Sequence, residues 1–201
     1  MAYQPALGTL RGDNKMDNKL FVLSGPSGAG ISEIVAGIFA ARNDVGTVIP
    51  VTARKMKAGE VDGVGFFFYD LDGWNALKES GDLLEATEFA GNDYGTSRRL
   101  VTEQLNAGKH VILTLSPDRA KQLKQNMPEA VCVYVSPTDG VLRERYGKIS
   151  RSAFELSVRM EEAQKQSALA DFCDYRIDSD DIAAAVRALS ALMDHGRCSE
   201  R

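Results

Sequence analysis

Residues 25–32 read Gly-Pro-Ser-Gly-Ala-Gly-Ile-Ser. An apolar run, Leu20-Phe21-Val22-Leu23, leads into them, and a helix-periodic stretch with Ile34, Val35, Ile38 and Phe39 on one face follows. A glycine-rich turn between a buried strand and a helix lines up backbone N–H groups at the positive end of the helix, which is a cradle for phosphate. Gly25, Ser27, Gly28, Ala29, Gly30 and Ser32 are the candidate phosphate-contacting positions, and the Ser32 hydroxyl is the candidate Mg²⁺ ligand. One residue breaks the pattern: Ile31 stands where such loops carry lysine. Backbone N–H groups hold phosphate without a lysine, but the lysine supplies charge to the group in flight. Loss of one preorganised donor of that kind costs ~3 kcal/mol, roughly a hundred- to thousand-fold in rate. Glu33 follows in the first helical turn. It is either a solvated residue meeting the helix dipole or a like charge beside a bound phosphate, which at ~4 Å and an effective dielectric of ~20 costs about 4 kcal/mol.

Other chemistry-bearing residues are scattered. Arg54, Lys55 and Lys57 make a basic segment, and Arg98 and Arg99 a second one. Taken singly, Arg54 or Lys57 in such a loop is more often a solvated charge than a functional one. Phe66, Phe67 and Phe68 read most simply as local core. His110 and His195 have no partner pattern and receive no role.

The elements that must position these residues alternate. Strands are predicted at 20–23, 45–51, 83–89, 111–115, 130–135 and 175–177, with a turn at 91–93. Helices are predicted at 32–42, 74–79, 98–106, 118–126, 140–146, 153–169 and 182–193. The alternation implies an α/β fold with a parallel sheet. Residues 52–96 interrupt it with Gly-rich, aromatic and short-strand segments, as an inserted β-rich lobe would. Residues 1–18 read as a flexible extension with an alternative start at Met16, and 194–201 as a tail.

Length and composition bound the reading. The chain has 201 residues, 44% apolar and 26% charged, which suits one globular domain with an insertion. The formal charge is −4, so no basic excess points to nucleic acid or an anionic membrane. No apolar run reaches the ~18 residues that a transmembrane helix needs, and no secretory leader is visible. Three unevenly spaced cysteines, Cys132, Cys173 and Cys198, read as reduced thiols of a cytoplasmic protein.

Over residues 19–193 the sequence resembles the guanylate kinase family. The carriers are Leu23 to Gly30, Thr52-Ala53-Arg54, Gly59-Glu60-Val61-Asp62-Gly63, Gly91-Asn92-Asp93-Tyr94-Gly95-Thr96-Ser97, Ala107-Gly108-Lys109 and Asp180-Asp181-Ile182. The resemblance implies a P-loop fold with a core at 19–51 and 97–193, a GMP-binding lobe at 52–96 and a lid near 140–160. It implies transfer of the ATP γ-phosphoryl group to GMP with Mg²⁺. It assigns Arg54, Lys57, Phe66 and Tyr94 to the GMP phosphate, with lysine in place of an arginine and Phe66 in place of a tyrosine. It assigns Glu85 and Thr96 to the guanine, where Pro50 replaces a serine. It assigns Arg145, Lys148 and Arg159 to the lid that covers the transferring group, one residue being missing between the first two. Two aspartates that organise Mg²⁺ and contact the acceptor are here Thr114 and Ser116. A carboxylate at Glu85, inside the strand Leu-Leu-Glu-Ala, needs a partner, and a guanine or an arginine would serve.

These residues imply a guanylate-kinase-like protein with weak or absent turnover that keeps GMP or anion binding. The alternatives are a functional GMP kinase that leans on its lid arginines, and a phosphopeptide or protein-interaction module built on the GMP lobe. A homo-oligomer or a protein partner is compatible with each.

Overall fold

The computed structural model describes residues 18–194. The expected extension and tail, with His195 and Cys198, lie outside them apart from Asn18 and Asp194.

The main sheet is parallel, and its central strand is β1 (Leu20–Ser24). β7 (His110–Thr114) and β8 (Val131–Ser136) flank it, and β2 (Val45–Gly46) and β9 (Tyr175–Asp178) form the edges, giving the order β2-β7-β1-β8-β9. Every residue of β1 is buried, which explains its unbroken apolar run. Its side chains alternate between two cores. Phe21 and Leu23 pack with Ile34 and Ile38 of α1 (Ile31–Ala41) and with Ala185 and Leu189 of α7 (Ile182–Asp194). Leu20 and Val22 pack with Val101 of α3 (Arg98–Asn106) and Leu123 of α4 (Pro117–Asn126). Helices on both faces cover the sheet.

A second, four-stranded sheet lies between Val51 and Ser97. It contains β3 (Val51–Thr52), β4 (Phe67–Phe68), β5 (Leu83–Phe89) and β6 (Asn92–Ser97), in the order β4-β3-β6-β5, with α2 (Leu71–Glu79) between β4 and β5. α5 (Asp139–Gly147) and α6 (Ala153–Ala168) form the helical lid, with a small core of Leu142, Tyr146, Met160 and Ala163. The architecture is a P-loop α/β core with an inserted β-rich lobe and a lid.

Two expectations need correction. The single strand expected at 45–51 is two short strands in different sheets, β2 and β3. Asn92 and Asp93, expected in a turn, open β6 and pair with Phe89 and Glu88 of β5. A register shift in β5 between Leu83 and Glu85 buries two successive residues, Leu84 and Glu85. Leu84 enters the main core, while Glu85 turns to the seam between lobe and core, a re-aiming typical of a bulge.

Candidate active site

The loop between β1 and α1 has the backbone that phosphate binding requires. Gly28 and Gly30 have φ of 75° and 84°, the left-handed region that glycine adopts without strain. A Cβ at Gly25 would lie 2.4 Å from the Val135 carbonyl oxygen, so only glycine lets the loop leave the sheet there. Gly30 occupies the N-cap of α1 and brings no side chain to the first-turn N–H groups. Those groups head a cavity of about 710 Å³.

Every predicted loop residue, Gly25, Ser27, Gly28, Ala29, Gly30 and Ser32, lines that cavity, together with Ile31 and Glu33. Ile31 is partly buried and packs against the apolar core. The side chain at the lysine position is thus spent on packing. Thr114, Leu115 and Ser116 line the cavity as well. The wall that could present carboxylates presents hydroxyls.

The lid reaches this cavity through one of its three predicted residues. Arg145 donates from Nη1 to the Gly28 carbonyl at 2.9 Å and from Nη2 to the Ser179 carbonyl at 2.8 Å. Beside it the Tyr146 hydroxyl donates to the Ser27 carbonyl at 2.6 Å. Lys148 and Arg159 are elsewhere. Each is held within its own helix region, Lys148 by Glu144 and Arg159 by Glu155, both at 2.8 Å. Neither lines the cavity.

In the lobe, the structure groups Arg54, Phe66 and Tyr94. The Phe66 and Tyr94 rings lie 5.7 Å apart, and the Arg54 guanidinium sits 5.6 Å from the Phe66 ring and 5.3 Å from the Phe68 ring. Glu60 clamps the Arg54 fork with bonds of 3.0 and 2.7 Å, and it also accepts the Lys57 backbone N–H at 2.7 Å. The Arg54 contact, helped by that N–H, holds the Glu60 carboxyl down at about 2. The Lys57 side chain itself is exposed.

Glu85 and Thr96 meet as predicted positions in the lobe, and a third residue joins them. The Thr96 hydroxyl donates to Glu85 Oε1 at 2.6 Å. Arg119, on the first turn of α4, donates from Nε to Oε2 at 2.6 Å and from Nη2 to Oε1 at 2.9 Å. The Glu85 side chain is wholly buried, and that of Arg119 is 27% exposed. A second cavity, of about 410 Å³, lies against this seam. Pro50, Phe66, Tyr94, Ser116 and Arg119 line it, but Glu85 and Thr96 do not.

Sequence reading named no role for Arg119. The signal was indirect: a carboxylate within a buried strand requires a cation or a donor-rich ligand. Gln122 and Asn126 were missed with it. Gln122 accepts the Ala86 N–H at 3.0 Å and Asn126 donates to the Leu84 carbonyl at 2.9 Å. The spacing 119, 122, 126 places all three on one face of α4.

Comparison with known proteins follows the same outline. Residues 17–196 match the family described as Guanylate kinase. A guanylate kinase from Enterococcus faecalis is 36% identical over 179 residues, covering 87% of each chain. One from Thermobifida fusca is 37% identical over 153 residues, covering 75% of this chain and 78% of the relative. Among solved structures, guanylate kinase from Anaplasma phagocytophilum aligns at a TM-score of 0.62 over 92% of this chain and 89% of that one. At 21% identity, that likeness speaks to the fold alone. The chain belongs to the guanylate kinase family.

Proposed function

We propose that this protein holds a nucleotide phosphate on its glycine-rich loop and a phosphomonoester, GMP in the family, in its 52–96 lobe, but transfers the phosphoryl group slowly or not at all. The observation that carries the reading is Ile31, which lines the loop cavity and packs against the apolar core at the position of the missing lysine. Thr114 and Ser116 on the opposing wall support it.

The remaining residues divide the work between binding and chemistry. The first-turn N–H groups of α1 attract phosphate oxygens, and no side chain competes for them. Arg145 braces the loop from the lid side, since two of its N–H donors already hold backbone carbonyls. In the lobe, Arg54 with the Tyr94 hydroxyl beside Phe66 forms the anion-binding end. Glu60 keeps that guanidinium in place, and Lys57 adds an exposed charge without a bidentate fork.

Mg²⁺ with ATP is the family's cofactor set. When bound, the cation supplies charge neutralisation at the transferring group. Loop kinases hold it through the loop hydroxyl, an acidic residue across the cleft and the phosphates themselves. Ser32 provides the first of these, whereas Thr114 and Ser116 stand at the aspartate positions without a carboxylate. The donor set does not fit a cation as the family holds it.

Two losses of ~3 kcal/mol together correspond to roughly 10⁴-fold in rate. A coupled assay of ADP release with GMP and Mg-ATP tests this. Turnover at least 10³-fold below the ordinary kinase range of ~1–100 s⁻¹ is expected. Turnover inside that range would establish a working GMP kinase and overturn the reading. The unpaired thiols of Cys132 and Cys173, pushed up to about 12 and about 11 by burial, support a reducing, cytoplasmic setting. Among the described residues no helix is long and apolar enough to cross a membrane.

A further inference from the structure

The lobe cavity meets a cation where the family resemblance puts a free carboxylate. Glu85 has no exposed side-chain surface, and both of its oxygens are taken, Oε1 by Thr96 and Arg119 Nη2, Oε2 by Arg119 Nε. A guanidinium carries five N–H donors in a rigid plane. Two of them hold Glu85. The opposite edge, made by Nη1 and the second Nη2 hydrogen, has no partner among the described residues. Arg119 is the member of the pair that lines the cavity, so this end of the cavity offers parallel donors and conceals the Glu85 oxygens. Phe66, Thr87, Glu88, Phe89, Tyr94 and Ser116 line the rest, with Pro50 where a hydroxyl would have read a base.

We propose that Arg119 determines what the lobe accepts: a phosphomonoester whose far end presents two adjacent hydrogen-bond acceptors, rather than a base that offers N–H groups. The proposal rests on the reading of the lobe as a phosphomonoester site. Arg54 and Tyr94 fix the phosphate end, and Arg119 reads the other.

The chemistry separates ligands sharply. A carboxylate read guanine through N1–H and the exocyclic amine. An arginine edge reads guanine or hypoxanthine through O6 and N7. It equally fits N3 and O2 of cytosine, or the two oxygens of a carboxylate. Adenine fails, because its N7 acceptor sits beside an amine donor. The exocyclic amine of guanine takes no part in a pairing with Arg119, which inverts the selectivity that a free Glu85 would impose.

Calorimetric titration of the full chain with GMP, IMP, CMP, AMP, 3-phosphoglycerate and ribose 5-phosphate tests this. GMP and IMP should bind within about threefold of each other. The best of IMP, CMP and 3-phosphoglycerate should exceed AMP and ribose 5-phosphate by roughly tenfold or more, the worth of one good bidentate pair; which of them is best identifies the source of the acceptor pair. Arg119→Gln, and Arg119→Lys as the variant that keeps the charge near Glu85, should compress that spread to within about threefold. The wild-type ratios decide the matter even if a variant fails to fold. GMP binding at least tenfold tighter than IMP would overturn the proposal, since a carboxylate, Glu85 or Glu88, would then be reading the amine. AMP or ribose 5-phosphate within threefold of the best ligand would overturn it too, while leaving the phosphate site standing. Absence of binding in every arm would overturn the phosphomonoester reading itself, and this proposal with it.

Discussion

Arg119 and Glu85 are a pair whose cost falls due only when it is broken. Removing one member of a buried ion pair strands the other charge, at about 3–5 kcal/mol. Arg119→Ala should lower unfolding stability by about 3 kcal/mol, near the low end because Arg119 is partly exposed. Adding Glu85→Gln should restore part of the loss, and urea denaturation of the two variants measures both effects. His110 gives a second residue-scale expectation. It is buried, its Nδ1 accepts the Lys19 N–H at 3.1 Å, and its ring packs edge-on to Phe21. Burial, the leading cause, holds its pKa below the ordinary value. The unfolded chain therefore binds the proton first. The stabilisation is complete above the unfolded value of about 6.5 and drains away as the pH falls from there through the lower folded value. Melting temperature should decline between pH 7 and pH 5, and His110→Gln should flatten that part of the profile. These two residues differ in how far the sequence exposes them. The glycine loop and Ile31 are legible because their geometry is local. Arg119 meets Glu85 from 34 residues away, and only the fold makes that pairing.

Helix α4 does more than complete a layer. Arg119, Gln122 and Asn126 form three side-chain attachments from one helix face to consecutive residues of β5. The lobe is thereby stitched to the core at the strand that carries Glu85. Gln122→Ala should speed amide exchange at Ala86, whose N–H loses its acceptor, and should cost about 1 kcal/mol of stability. Exchange at residues of β1 should not change. Hydrogen–deuterium exchange resolved to single residues reads both. At this scale the sequence was most informative where burial is two-sided. The apolar runs of β1, β7 and β8 and the periodic helices declare themselves. β6 did not, because Asn-Asp-Tyr-Gly-Thr-Ser has little strand propensity and is held by its pairing with β5 and β3. The segment 45–51 failed for the opposite reason. Its apolar content reads as one strand, while the chain crosses from one sheet to the other within it.

Across the whole molecule, Ser116 is the residue that both cavities share. It caps α4 through its backbone, and its side chain accepts no N–H of the first turn. A phosphoryl group passing between donor and acceptor would pass this point, where the protein supplies a hydroxyl instead of a negative charge that could hold a cation. On the proposed reading of slow transfer, raising turnover is a cooperative demand. Ile31→Lys alone should raise GMP-dependent turnover by less than about tenfold, whereas Ile31→Lys with Thr114→Asp and Ser116→Asp should exceed the product of the separate effects, as residues acting as a unit do. Steady-state kinetics on the unmutated protein, Ile31→Lys, the Thr114→Asp and Ser116→Asp pair, and the triple variant decides it. The seam between α4 and β5 has one more consequence, for behaviour in a crowded solution. β5 is the last strand of its sheet, and a bare last strand is a template on which another chain can pair. Gln122 and Asn126 occupy the Ala86 N–H and the Leu84 carbonyl, the outward groups such pairing would use. The helix that carries Arg119 thus also covers part of that edge, and trimming both amides should increase concentration-dependent self-association, which sedimentation velocity measures.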